Sequence, residues 1–240
     1  MTHHKLLPHE SVAAIADIER LWMTRRSARL VLEEMRLWWP WRDLEPFTPL
    51  CRVCRLPLDV GTECSDACRA LAGWFTIDFA TYSTARALEP LLRVYKDASE
   101  PPPWMAAFFQ DLVDECSGSA LTKSVLVPVP HNRVRTWQPN ATIWLRWTSR
   151  LSTCFVPPPR SGRPARESLD PNRYDVSALP PSTTVTLLDD LWTSGATLGS
   201  LAQAVRSAGA TRVTAITIGR QLRPDRPAST RAYRTLAGRN

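Results

Sequence analysis

The sequence predicts an α/β protein in which helices flank a parallel sheet, preceded by a helical segment and a small cysteine-rich module. Three observations lead to this fold class. A strand, a helix and a second strand follow one another between residues 184 and 218. A short β-branched run at 125–130 is interrupted by prolines, as at the end of a buried strand. Four of the six cysteines lie between residues 51 and 68.

Composition and length set the broad class of the protein. Apolar residues make up 44% and charged residues 22% of the 240 positions, which is typical of globular proteins and excludes disorder or a collagen-like chain. No window approaches the ~20 apolar residues that cross a bilayer, so we expect no membrane insertion. Only two leucines separate Lys5 from Pro8, too few for a secretory signal, so we expect a cytoplasmic location.

The basic charge is concentrated near the C-terminus. The formal net charge is +7, and six arginines but only one acidic residue follow Gly219. Residues 223–240 are therefore predicted to form a basic tail. Such a tail either is a solvated terminus or contacts an anion or nucleic acid.

The N-terminal segment, residues 1–48, is predicted to be helical. Apolar side chains recur at spacings of three and four residues, and a helix is expected over 10–40, ending before Pro40. Trp38, Trp39 and Trp41 form an aromatic patch. This patch either packs on the rest of the chain or binds a partner.

The cysteine module, residues 49–72, has the spacing of a metal site. Cys51 and Cys54 are separated by two residues, and Cys64 and Cys68 by three. Four thiolates suit tetrahedral Zn²⁺ and leave no open position, so the ion would be structural. The alternative is four free thiols with a core or redox role. Cys116 and Cys154 are expected to be free core thiols.

Alternation and helical spacing predict further elements between the module and the strand–helix–strand unit. We expect a strand at 74–80, helices at 87–96 and 104–115, a helix at 140–151 and a loop at 156–173.

The strand–helix–strand unit is the strongest prediction. Residues 184–188 form an apolar strand, 189–196 a polar turn, 197–208 a helix closed by Gly209, and 213–218 a second strand. Ligands of open α/β sheets bind at the carboxyl ends of the strands, where this turn lies.

The residues of that turn suit a phosphate monoester beside a sugar diol. Asp189 and Asp190 can hold hydroxyls or Mg²⁺, and Gly195 allows a tight turn. Thr193, Ser194 and Thr197 offer hydroxyl groups, and the following helix offers free N–H groups. The alternative is that the carboxylates merely end a strand and the small residues merely cap a helix.

The segment 185–197 resembles the 5-phosphoribosyl-1-diphosphate (PRPP) signature of type I phosphoribosyltransferases. The resemblance implies a phosphoribosyltransferase-like domain over residues 73–222 that binds PRPP with Mg²⁺. It implies that Asp189 and Asp190 meet the ribose 2- and 3-hydroxyls. It also implies that Thr193, Ser194, Gly195, Ala196 and Thr197 surround the 5-phosphate.

More of the chain is similar to the ComF-type proteins linked to DNA uptake in competence, which join a cysteine-rich zinc module to such a domain. The similarity covers the segments 82–96, 127–130 and 170–175, and Asn140. His131, Arg133 and Arg135 follow the proline-containing strand end. They are either diphosphate contacts, for which we favour Arg133, or solvated charges.

The loop with Arg160, Arg163 and Arg166 is either a lid over the substrate or a surface loop.

Two functions follow as expectations. The chain either transfers the phosphoribosyl group to an unknown acceptor, or senses PRPP or a nucleotide without catalysis. In the second case it would act in DNA uptake or regulation through a competence protein or single-stranded DNA. A third expectation makes the helical N-terminus a scaffold beside a vestigial sheet domain. The chain is also expected to form a homodimer.

Overall fold

The computed structural model of the chain describes residues 8–83, 88–98, 101–117, 124–130, 143–144, 148, 152–154, 156, 168–177, 179–180, 182–223 and 225–238. The predicted helix at 140–151 and the predicted loop at 156–173 lie largely outside these residues.

Within the described residues, four parallel strands form one sheet, which confirms the predicted α/β class. The strands are β1 (Phe75–Ser83), β2 (Val125–Pro128), β3 (Thr183–Trp192) and β4 (Ala210–Gln221). Their order across the sheet is β1-β4-β3-β2, and every neighbouring pair is parallel. The last strand in sequence is therefore an inner strand that pairs on both sides.

Seven α-helices accompany the sheet within the described residues. They are α1 (Pro8–Arg25), α2 (Ala28–Glu34), α3 (Asp66–Leu71), α4 (Leu88–Asp97), α5 (Pro103–Ser117), α6 (Ala196–Ser207) and α7 (Pro227–Ala237). Short 3-10 helices occur at Trp41–Asp43 and Pro171–Arg173.

The two faces of the sheet carry different layers, because side chains alternate along each strand. Leu187 and Val213 belong to the core beneath α6 and the cysteine module. Leu188 and Ile216 belong to the opposite core, under α4, α5 and the first two helices. Packed side chains therefore cover both faces of the sheet, including β3.

The N-terminal segment contains two helices, so the single helix predicted over 10–40 is wrong. Arg26 has a φ of +54°, which ends α1, and the Ser27 side chain accepts a hydrogen bond from the Leu30 N–H at 3.3 Å. The Asp111 carboxylate, on α5, accepts from the Ala28 N–H at 2.6 Å. These capping contacts start a new helix at Ala28 because they satisfy its first N–H groups.

The strand β3 is longer than predicted, so the polar turn is confined to residues 193–195. Leu191 pairs with Gly219 and Trp192 with Arg220, because β4 extends to Gln221 and continues to supply partners. Asp189 and Asp190 therefore lie in the strand and not in the turn.

The C-terminal segment folds onto the molecule. Ala232 and Leu236 of α7 are buried in a cluster with Trp39 and Phe79. Arg231 forms an ion pair with Asp59 of the cysteine module.

None of the helices in the described part of the chain is long and apolar enough to cross a membrane.

Candidate ligand and metal sites

The four cysteines between residues 51 and 68 converge on one point. The Sγ atoms of Cys51, Cys54, Cys64 and Cys68 all lie within 4.8 Å of one another. The Cys54 Sγ is 3.4 Å from that of Cys64, which is 3.5 Å from that of Cys68. No disulfide links them. These distances are close to the ~3.8 Å between sulfurs that tetrahedral zinc with bonds of ~2.3 Å requires.

Local hydrogen bonds hold the two cysteine pairs in place. The Arg55 N–H donates to the Cys51 carbonyl at 2.9 Å, and the Cys51 N–H donates to the Leu56 carbonyl at 2.9 Å, which folds the first pair into a knuckle. Ser65 caps α3 by accepting from the Cys68 N–H at 3.3 Å. The helix thus carries the fourth sulfur toward the other three.

The thiols strongly influence one another. Although a hydrogen bond with Cys54 raises it, the pKa of Cys51 is lowered to about 7 by hydrogen bonds with Cys64 and Cys68. Burial raises the pKa of Cys54, but hydrogen bonds with the other three thiols and the charge of Arg220 bring it well below its usual value. Thiolates are the metal-binding form of cysteine. The described cluster could therefore hold a metal ion such as zinc.

The two aspartates at the end of β3 are both buried. Asp189 is 8% and Asp190 is 2% exposed. The Asp190 N–H donates to Asp189 Oδ1 at 2.9 Å, and the Leu191 N–H donates to Asp190 Oδ1 at 2.7 Å. These bonds fix the orientation of both carboxylates.

The two carboxylates have different surroundings, because adjacent strand residues face opposite sides of the sheet. Lys96, near the end of α4, forms an ion pair with Asp190 Oδ2. Tyr174 lies on the side of Asp189. Burial raises its pKa, Arg173 opposes this shift, and the negative charge of Asp189 adds to it. The site therefore combines two carboxylates, an ammonium and a neutral phenol.

The loop between β3 and α6 makes a tight turn at its last residue. Gly195 has a φ of +84°, and a Cβ at this position would lie 2.4 Å from Cζ2 of Trp192. Only glycine fits without a shift, as the sequence predicted for this turn. The Ala196 N–H donates to Ser194 Oγ at 3.4 Å, while Thr193 is exposed. The N–H groups of the first turn of α6 point toward this loop.

The segment 168–177 packs along α6 and reinforces its start. The Asp170 N–H donates to Ser200 Oγ at 2.9 Å, and the Ser200 hydroxyl donates to the Ala196 carbonyl at 2.6 Å. A Cβ on Gly199 would lie 2.6 Å from Leu169, so the contact is close. The segment containing Tyr174 is therefore held beside the loop.

Several predicted site residues lie outside the described residues. They are His131, Arg133, Arg135, Asn140, Arg160, Arg163 and Arg166. The side chain of Cys116 is also not described. Cys154 is a free cysteine, half-buried, and burial raises its pKa.

Three residues near the site were not predicted from the sequence: Lys96, Tyr174 and Arg220. Lys96 is the only cation in the last turn of a strongly amphipathic helix. Arg220 is a charged residue that directly follows the largely apolar run 213–219 of β4, which signals a buried partner. Tyr174 lies in the segment 170–175 that the family resemblance covers, but the resemblance did not mark this residue as part of the site.

Neither the models of known protein families nor the curated proteins gave a match to this chain.

Proposed function

We propose that the chain binds PRPP with Mg²⁺ at the carboxyl edge of the sheet, and that it belongs to the type I phosphoribosyltransferase-like proteins of the ComF kind. One observation carries this proposal. Two buried carboxylates lie within the last four residues of β3, and a short turn ending in a glycine leads from that strand into the N-terminus of a twelve-residue helix. This arrangement offers acceptors for a sugar diol beside donors for a phosphate.

Different groups of the chain would contact different parts of PRPP. Asp189 and Asp190 would accept hydrogen bonds from the ribose hydroxyls. The hydroxyls of Thr193, Ser194 and Thr197 and the first N–H groups of α6 would donate to the 5-phosphate. Mg²⁺ would neutralise the diphosphate as it leaves.

Transfer to an acceptor, whose identity is unknown, would follow from binding. The bond between the anomeric carbon and the diphosphate oxygen breaks, its electron pair leaves with the diphosphate, and the acceptor's lone pair forms the new bond to carbon. The protein's part is to orient the ligand and stabilise charge. Arg133 stays a proposed diphosphate contact.

The cysteine cluster would hold one structural Zn²⁺. All four ligand positions would be occupied by thiolates, which leaves no position for a substrate. Metal analysis of reduced protein purified without chelators should give about one zinc per chain. A value well below one would refute this assignment.

Calorimetry with PRPP tests the ligand site. Binding to the wild type should require Mg²⁺ and should be lost in the Asp189→Asn/Asp190→Asn double variant, because its carboxylates are the proposed acceptors. The two single variants show which carboxylate dominates, and circular dichroism with zinc content shows that each remains folded. Absence of binding to folded, zinc-loaded wild type would refute the proposal.

Ligand fragments locate the contacts. Ribose 5-phosphate should bind through the loop at 193–197 and should bind more weakly to Ser194→Ala. Inorganic diphosphate should be insensitive to that substitution.

A second candidate is the sensing or DNA-uptake module that contacts single-stranded nucleic acid. A groove at the opposite end of the sheet favours it. Exposed Arg52, Arg206 and Arg212 line this groove with Trp74, and the Arg206 guanidinium lies 4.8 Å from the Trp74 ring centroid. Arginines bind phosphates and an aromatic ring can stack on a base, so both elements of single-strand recognition are present.

Fluorescence anisotropy with a labelled oligonucleotide tests this candidate. The Arg206→Ala/Arg212→Ala variant should bind more weakly, with a smaller dependence on salt, because two phosphate contacts are lost. Arg93→Ala, which removes an exposed arginine of α4 paired with Glu89, is the matched control. Substitution of the exposed Arg231 and Arg234 by alanine, which keeps the buried side of α7, shows whether the C-terminal arginines contribute. A flat response at low salt would refute the candidate.

A further inference from the structure

One buried arginine lies between the cysteine cluster and the loop that follows β3. Arg220, near the end of β4, is 1% exposed. Its Nε donates to the Cys54 carbonyl at 3.1 Å, and its Nη2 donates to the Cys54 Sγ at 3.4 Å. Its Nη1 donates to the carbonyls of Trp192 at 3.0 Å and Thr193 at 2.8 Å. A single side chain thus connects a candidate metal ligand with the candidate phosphate loop.

The charge of Arg220 needs a negative partner, because an uncompensated buried charge is costly. No carboxylate forms an ion pair with Arg220 among the residues that the structure describes. A divalent ion bound by four thiolates leaves a net charge of about −2 on the cluster. A metal-loaded cluster would therefore supply the compensating charge, and would also fix the position of Cys54.

The contacts at the other end of Arg220 reach the start of α6. The Trp192 ring packs against Gly195, where no Cβ would fit, and against Phe75 at 5.8 Å between ring centroids. A displacement of the Trp192 carbonyl would therefore move Gly195 and the N–H groups that follow it.

We propose that Arg220 is a positioning residue that makes the conformation of Trp192 and of the turn at 193–195 depend on the metal held by the four cysteines. The cluster would then organise the ligand site as well as its own module. This inference rests on the proposed metal centre, and it requires no assumption about the ligand.

Hydrogen exchange measured by mass spectrometry tests the coupling without any ligand. Removing the metal from the wild type with a chelator should speed exchange in a peptide covering 192–203 by about tenfold, because the Gly199 N–H, which donates to the Gly195 carbonyl at 2.7 Å, reports on the start of α6. In metal-loaded Arg220→Met this exchange should already be fast, and chelation should not increase its rate further. A peptide from α5, on the opposite face of the sheet, should keep its protection and shows that the fold persists.

Arg226→Met is the matched control. Arg226 also donates from Nη1 to the carbonyl of a cluster cysteine, Cys64, at 2.8 Å. This variant should respond to chelation like the wild type. If Arg220→Met does not fold, Arg220→Lys keeps the charge but loses the planar fork of donors, and it should show fast loop exchange with the metal retained.

The result that would overturn the inference is a chelated wild type in which the peptide 49–72 loses protection against exchange while the peptide 192–203 keeps it. Protection of the loop in metal-loaded Arg220→Met or Arg220→Lys that matches the wild type would overturn it equally. Metal analysis separates the two proposals. Absence of metal from the purified protein overturns both the metal centre and the coupling. If the metal is present but exchange in the loop does not change when it is removed, only the coupling is overturned.

Discussion

Gly195 is the residue on which the geometry of the candidate loop depends most directly. Two independent restrictions apply to it: a φ of +84° and the proximity of the Trp192 ring. Gly61 has the same φ of +84° but nothing within 4 Å of its would-be Cβ. A side chain at Gly61 would therefore meet backbone strain alone, whereas a side chain at Gly195 would meet backbone strain and a clash with Trp192.

Substitution of each glycine by alanine should give different losses of stability. Gly61→Ala should lower the free energy of unfolding by about 1–2 kcal/mol, the cost of a left-handed conformation. Gly195→Ala should lower it by at least ~1 kcal/mol more, because Trp192 must also move. Urea unfolding monitored by circular dichroism gives both values, and equal losses would show that Trp192 moves aside freely.

Tyr82 links stability to alkaline pH. It is fully buried, its hydroxyl donates to the Arg55 carbonyl at 2.5 Å, and burial raises its pKa above the usual value near 10. The folded state therefore favours the neutral phenol. The stability that this preference provides is present below pH 10 and is lost as the pH rises further.

The Tyr82→Phe variant should accordingly lose about 1 kcal/mol at pH 7, where a buried carbonyl loses its donor. Above pH 10 the difference from the wild type should narrow, because phenylalanine does not titrate. Urea unfolding across pH 7–11 measures the difference, and a constant gap would contradict the assignment.

Among the elements, α2 joins the N-terminal segment to the main core. Val31 and Leu32 are buried in the cluster that contains Phe108 and Leu112 of α5. Leu30, one position earlier, is 49% exposed. The same helix therefore offers a buried leucine and an exposed control.

Leu32→Ala should lower the free energy of unfolding by about 2–5 kcal/mol, since it leaves a cavity between α2 and α5. Leu30→Ala should change it by less than about 0.5 kcal/mol. Thermal unfolding of both variants measures the difference. If Leu32→Ala behaved like Leu30→Ala, the N-terminal segment would be separate from the core.

The elements also show how far the sequence predicts the fold. The order of β3, α6 and β4 was predictable, because apolar strands, helical spacing and a closing glycine are all local signals. The break at Ser27 was missed: the serine is a local helix-capping signal, but the Asp111 carboxylate that also caps α2 lies 83 residues from Ala28. The extension of β3 through Trp192 was missed for a similar reason: partner residues on β4 outweigh the polar character of Asp189 and Asp190.

At the scale of the whole molecule, the cysteine module is part of the sheet's core. Cys51, Val53 and Leu56 are buried in one cluster with Ile77 of β1 and Val185 of β3. The loss of a bound metal should therefore destabilise the sheet as well as the cysteine module.

Chelation with 1,10-phenanthroline should lower the Tm of the entire chain, in a single calorimetric transition, by about 2–4 °C for each kcal/mol lost. The non-chelating 1,7 isomer is the control. A separate low-temperature transition, with the main Tm unchanged, would mean that the module unfolds independently.

The candidate site was predictable only where its residues are contiguous. Asp189 to Thr197 form one stretch and could be recognised together, as could the paired cysteines. The contacts of Lys96 with Asp190 and of Arg220 with Cys54 join distant parts of the chain, the second across 166 residues. Such pairs arise from strand order, which local patterns do not encode.

The strand order has a consequence for synthesis on the ribosome. β4 is made last but lies between β1 and β3. Until residues 210–221 leave the exit tunnel, none of the other described strands pairs with β1, and of these strands β3 pairs only with the four-residue β2. Until β4 emerges, the nascent chain therefore exposes the apolar edges of β1 and β3 that β4 covers in the folded sheet, and the sheet cannot close. Premature termination anywhere before β4 would release a chain prone to aggregate through those edges.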